Sequence, residues 1–129
     1  MTEPLSILVV EDRNADFILV ERHLKQNGLS VNCRRVDSLE GLREAIDKGS
    51  WDLVLADYNV PQLNFQECLD LVGAALPGVP IIMVTGTVGE EKAVEFLKLG
   101  ICDFVLKDNL TRLVPAVRRS LKEKKGLEE

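Results

Sequence analysis

No CxxC pair occurs in the 129-residue chain, and it has a single histidine, His23. Cys33, Cys68 and Cys102 stand far apart, which excludes zinc-ligand spacing and a disulfide framework and suits three small core residues in a reducing compartment. There is no basic stripe or arm. With 16 Lys and Arg against 21 Asp and Glu, the formal charge is -5, which argues against direct contact with nucleic acid. Long apolar runs are missing too. The start "MTEPLSILVV" is acidic and its apolar stretch is too short for a signal peptide or a membrane span, so the expected location is the cytoplasm. No Gly/Ser linker, low-complexity tract or short repeat divides the chain, and its length suits one core. "GTVGEEK" lacks the GxxxxGK[ST] spacing of a phosphate-binding loop.

What is present is an alternation of strand-like and helix-like segments. "SILVV", "DLVLA" and "PIIMV" are continuous apolar runs expected of strands covered on both faces, whereas the more polar "VNCRRV" suits an edge strand. "CDFVL" is the fifth strand. Between them lie helical stripes: Phe17, Val20 and Leu24 before Gly28; Leu39, Leu42 and Ile46 after a Ser38 cap; and Phe65, Cys68, Leu69, Val72 and Leu76 after Asn64. Thr87 and Glu90 match the S/T-x-x-E capping box of a fourth helix that Gly100 ends. Pro115 fits only the first turn of a helix, so the fifth helix is expected to start near Val114 after an irregular "DNLTRL". Trp51 is expected to pack, His23 to be a partly solvated helix residue, and Glu91, Lys92, Glu95 and Lys98 to form a solvated charged face.

Alternating strands and helices imply right-handed crossovers, a parallel sheet and helices on both faces, with sites outside the carboxyl ends of the strands. That edge explains why "DLVLADYNVP" finishes on an acid. Glu11 and Asp12 follow the first strand, Asp57 closes the third, Thr85 the fourth and Lys107 the fifth. In the flavodoxin-like order 2-1-3-4-5 these side chains share one crevice. Three adjacent carboxylates repel one another unless a cation joins them, and an all-oxygen donor set selects a hard ion such as Mg2+. Lys107 and Thr85 are suited to stabilising charge on a transferring phosphoryl group, and one carboxylate can be the nucleophile.

The acidic pair Glu11-Asp12, "DYNVP" from Asp57, "VTGT" containing Thr85 and "DFVLKD" containing Lys107 together resemble the receiver domains of two-component response regulators, over essentially the whole chain. The resemblance implies a (βα)5 fold in which Asp57 accepts a phosphoryl group from a sensor histidine kinase or histidine phosphotransfer protein. It implies that Asp12, Asp57 and the backbone carbonyl of Asn59 bind Mg2+, with Glu11 acting through a water. Thr85 and Lys107 would hold the phosphoryl oxygens, and Phe104 would be the switch aromatic. The switched surface would be helix 4, strand 5 and helix 5, facing an output module, a partner or a second copy in a homodimer. Such a protein is a switch, not an enzyme beyond its own phosphorylation and dephosphorylation.

Three positions depart from the usual receiver pattern: Phe65 stands where glycine is common, Phe104 lacks a tyrosine hydroxyl, and Asp108 replaces a common proline after Lys107. A trans Lys107–Asp108 bond is therefore expected, because cis before a non-proline residue costs about 2.5–4 kcal/mol. The stretch "KDNLTRLVPAV" looks like receivers attached to sensor or cyclic-nucleotide modules. The expected receiver spans residues 1–124, with 125–129 a solvated tail or the start of a linker. Two rivals are a receiver-like module used only for docking and an aspartyl-phosphate phosphotransferase, although the DxD arrangement of the latter is missing.

Overall fold

The computed structural model describes residues 4–86 and 90–128, with Thr87 and its part in the expected capping box outside the described residues. Five strands, β1 (Leu5–Val10), β2 (Val31–Val36), β3 (Leu53–Ala56), β4 (Ile81–Thr85) and β5 (Asp103–Leu106), alternate with five helices. The helices are α1 (Asn14–Gln26), α2 (Leu39–Lys48), α3 (Phe65–Ala75), α4 (Glu90–Leu99) and α5 (Leu113–Glu128), and a short 3-10 turn at Leu110–Arg112 precedes the last. All strand pairs are parallel and the order is β2-β1-β3-β4-β5.

The sheet has a core on each face because successive side chains of a strand point to opposite sides. Leu8, Val10, Val54, Ala56, Ile81 and Met83 face α2, α3 and α4. Ile7, Val9, Leu53, Leu55, Ile82, Val84 and Val105 face α1 and α5. This double burial is why β3 and β4 are buried throughout and apolar up to Thr85, whereas β2 pairs only with β1 and is buried only at Val31 and Val36.

Local signals act where their chemistry requires. The Ser38 hydroxyl accepts from the Gly41 N–H at 3.0 Å, and Asn64 Oδ1 accepts from the Glu67 N–H at 3.2 Å, so each satisfies a free donor of a first helical turn. Gly28 and Gly100 follow α1 and α4 at φ 92° and 131°, values that disfavour a side chain. Leu113 starts α5 one residue before the expected Val114, which leaves Pro115 in the first turn. Trp51 packs on the core and donates its indole N–H to Ala45 O at 3.0 Å. No cis peptide bond occurs among the described residues, so Lys107–Asp108 is trans.

The cysteines are free, but only Cys68 is fully buried; Cys33 and Cys102 are half-buried, a correction to their expected place in the core. Cys33 lies on the edge strand and Cys102 just outside β5, where one flank lacks a covering element. Phe65 also departs from a loop position: it is 4% exposed and meets Phe96 of α4 edge-on at 4.6 Å, with Tyr58 5.8 Å from both rings. Phe65→Leu should lower unfolding stability in urea by about 1 kcal/mol, since aromatic pairs add roughly that beyond their buried area. An unchanged denaturation midpoint would show that the ring contacts add nothing.

Candidate functional site

The backbone places the acidic groups by continuing the sheet past its strand ends. The Asp57 N–H donates to Val10 O at 2.9 Å, the Glu11 N–H to Val36 O at 2.9 Å and the Lys107 N–H to Thr85 O at 2.8 Å. Each side chain is therefore aimed from a hydrogen-bonded main chain and not from a free loop. The sequence-predicted residues do converge: Glu11, Asp12 and Asp57 offer carboxylate oxygens within 4.8 Å of one another. Glu11 and Asp57 are buried at 3% and 7% exposure, while Asp12 is the most exposed of the three.

Lys107 enters this cluster from β5. Its Nζ lies 2.7 Å from Glu11 Oε1, 2.8 Å from Asp57 Oδ2 and 2.9 Å from Asp16 Oδ2. Burial alone would lower the proton affinity of the ammonium, but its hydrogen bonds to Asp16, Asp57 and Glu11 outweigh that and hold it above the usual lysine range. The second Asp57 oxygen, Oδ1, accepts from the Asn59 N–H at 3.1 Å, and Glu11 Oε2 accepts from the Arg13 N–H at 3.3 Å.

Asp16 was missed by sequence reasoning. It stands in the first turn of α1, where an acid is ordinarily favoured by the helix dipole, so nothing in the sequence set it apart. Three carboxylates thus surround one ammonium, with Asp12 beside Glu11 and Asp57. Glu11 bears the cost: burial, with the Asp57 charge adding to it, overrides the Lys107 hydrogen bond and raises its pKa from 4.5 to about 7. Because the folded value lies above the unfolded one, ionised Glu11 opposes folding above pH 7, and the effect vanishes below pH 4.5. Glu11→Gln is expected to stabilise the metal-free protein by about 1–2 kcal/mol at pH 8 and to leave it unchanged near pH 4.5. Equal denaturation midpoints at pH 8 would contradict the strained charge.

Thr85 is fully buried, and its Oγ1 has no hydrogen-bond partner among the described residues. A buried hydroxyl in that state costs about 1–3 kcal/mol, so it is a donor without an acceptor beside the acidic edge. Phe104 is half-buried against the α4 side of the core. Arg112 lies over its ring at 5.9 Å and donates to its carbonyl at 2.9 Å. Buried Asp103 in turn accepts from Arg112 at 3.3 Å and from Arg119 at 2.9 Å, an arrangement that sequence reasoning also missed. On α4, Lys92 and Glu95 pair at 3.7 Å on the expected solvated face.

Residues 7–118 match the family described as response regulator receiver domain. The chain belongs to that family. As a receiver it is similar to the transcriptional regulatory protein ZraR of Escherichia coli K12, 32% identical over 113 residues covering 82% of this chain and 24% of that protein. It is also 32% identical to the two-component response regulator ARR14 of Arabidopsis thaliana over 105 residues, 80% of this chain and 27% of that one. A solved response regulator receiver domain protein from Clostridium thermocellum superposes with a TM-score of 0.82 at 25% identity, covering 95% of this chain and 98% of the other. The receiver spans about half or less of the length of the curated relatives it matches. No described helix is long and apolar enough to cross a membrane.

The donor set fits Mg2+: three converging carboxylates, no sulfur or imidazole, and an orphaned hydroxyl at the neighbouring strand end.

Proposed function

We propose that this receiver is a phospho-accepting switch in which Asp57 takes a phosphoryl group from a phosphohistidine of a sensor histidine kinase or histidine phosphotransfer protein. The observation that carries this reading is the position of Asp57, within 4.8 Å of the Glu11 and Asp12 oxygens and 2.8 Å from the Lys107 ammonium. Asp12, Asp57 and the Asn59 carbonyl would hold Mg2+, with Glu11 acting through a water. Mg2+, when bound, supplies positive charge that offsets the carboxylates and the phosphoryl oxygens.

The protein's own groups do the rest. An Asp57 oxygen attacks phosphorus as the donor's phosphorus–nitrogen bond breaks, and the imidazole leaves with the bonding pair. Lys107 stays charged and close to the acceptor, where it stabilises the phosphoryl oxygens. The unpartnered Thr85 hydroxyl can then donate to a phosphoryl oxygen, and Phe104 on the adjacent strand answers its movement. The consequence is a changed surface over α4, β5 and α5, read by an output module, a partner protein or a second copy. Catalysis is confined to the receiver's own phosphorylation and hydrolysis, in the cytoplasm. We assign residues 1–124 to the receiver and 125–129 to a tail or linker start, a point that α5 crosses without interruption.

Incubation with Mg2+ and a small acyl phosphate tests this. Intact-mass measurement should show one added phosphoryl group, lost when a chelator removes the metal. No adduct at any Mg2+ concentration, with unaltered protein recovered, would leave the docking-module reading in its place.

A further inference from the structure

We infer that Asp16 is a positioning residue for Lys107, the one carboxylate partner the ammonium keeps when Mg2+ engages Glu11 and Asp57. The inference rests on the metal reading above. An ammonium has three N–H donors, and Lys107 Nζ directs them to three carboxylates at 2.7, 2.8 and 2.9 Å. Two of these, Glu11 and Asp57, belong to the convergent cluster suited to the cation, and Asp16 does not. A cation entering the cluster therefore competes with Lys107 for Glu11 and Asp57 only.

Asp16 is also held independently of the strand ends that carry the other acids, because its backbone lies within the first turn of α1. Its side chain is 26% exposed, and its other cation, Arg13, is 3.9 Å away and 72% exposed. A pair of that length and exposure is weak, so Lys107 is the principal partner of Asp16. The Lys107 side chain is itself only 21% exposed, and an ammonium left there without a counter-charge would be poorly solvated. Without Asp16 it would remain on Glu11 and Asp57 and oppose the metal, or lose its fixed position. With Asp16 it yields those oxygens and stays charged beside the phosphoryl acceptor.

Lysine ammonium 1H–15N spectra of the full chain, recorded through a Mg2+ titration, separate these cases. In the Mg2+-saturated wild-type protein the Lys107 cross-peak should persist, protected by its bond to Asp16. Asp16→Asn should remove that cross-peak and weaken Mg2+ binding about tenfold, and Asp16→Glu should restore the signal. Retention of the cross-peak in Mg2+-saturated Asp16→Asn, while the Asp57 and Asn59 amides still shift with Mg2+, would overturn the inference alone. Loss of the cross-peak in saturated wild-type protein would do the same without any variant. Absence of Mg2+ shifts at Asp57 and Asn59 in the wild-type protein would overturn the metal reading, and this inference with it.

Discussion

Asp57→Asn is expected to abolish the phosphoryl adduct while leaving the fold intact. The substitution keeps the shape of the side chain and the backbone bond from residue 57 to Val10 O, but an amide is not a nucleophile toward phosphorus and carries no charge for the metal. It also removes one of three carboxylates gathered around a single ammonium, beside the further acid Asp12, so the metal-free variant should melt no lower than the wild-type protein. Loss of the adduct in a folded variant then isolates chemistry from stability. Asp103→Asn is the matched control, since Asp103 is equally buried but serves Arg112 and Arg119 and not the acidic cluster. Intact mass after treatment with an acyl phosphate and Mg2+ should show an adduct on Asp103→Asn and none on Asp57→Asn. Equal modification of the two would remove Asp57 from the acceptor role.

Strand ends were legible in the sequence because a parallel sheet needs apolar runs, and a polar residue that closes such a run marks where the sheet meets solvent. Asp57 after "DLVLA" and Lys107 after "DFVL" were therefore readable, and so were Ser38 and Asn64, whose caps are local chemistry. Contacts set by the angle between elements were not readable. Asp16 and Lys107 are 91 residues apart and meet only because the fold brings the first turn of α1 beside the residue that follows β5, which no periodicity encodes. Asp103 carried no sequence signal of its own, yet Arg112 and Arg119, from the 3-10 turn and α5, converge on it, and Arg112 also holds the carbonyl and ring of Phe104. Phe65 was recognised as a departure from the common glycine, but its pairing with Phe96 depends on where α4 packs. The same limit applies to Cys33 and Cys102, whose exposure follows from sheet edges and not from residue type.

Asp12→Ala should weaken Mg2+ binding by about a hundredfold and Glu11→Ala by about tenfold, an order that follows from how each carboxylate is already engaged. Glu11 is tied to Lys107 and the Arg13 N–H, whereas no hydrogen bond or ion pair among the described residues holds the Asp12 side chain. Asp12 can therefore face a cation without first giving up a partner, which suits a direct ligand, and Glu11 acts at longer range through its charge. That charge is pH-dependent near neutrality, because Glu11 has a pKa of about 7. A proton on Glu11 removes negative charge that would favour the cation, so Mg2+ affinity should rise as pH increases through 7 and level off above it. Calorimetric titration at pH 6, 7 and 8 should show this rise in the wild-type protein and in Asp12→Ala, and its absence in Glu11→Ala. A rise of the same size in Glu11→Ala would place the titrating group elsewhere, and a larger loss of affinity in Glu11→Ala than in Asp12→Ala would exchange the two roles.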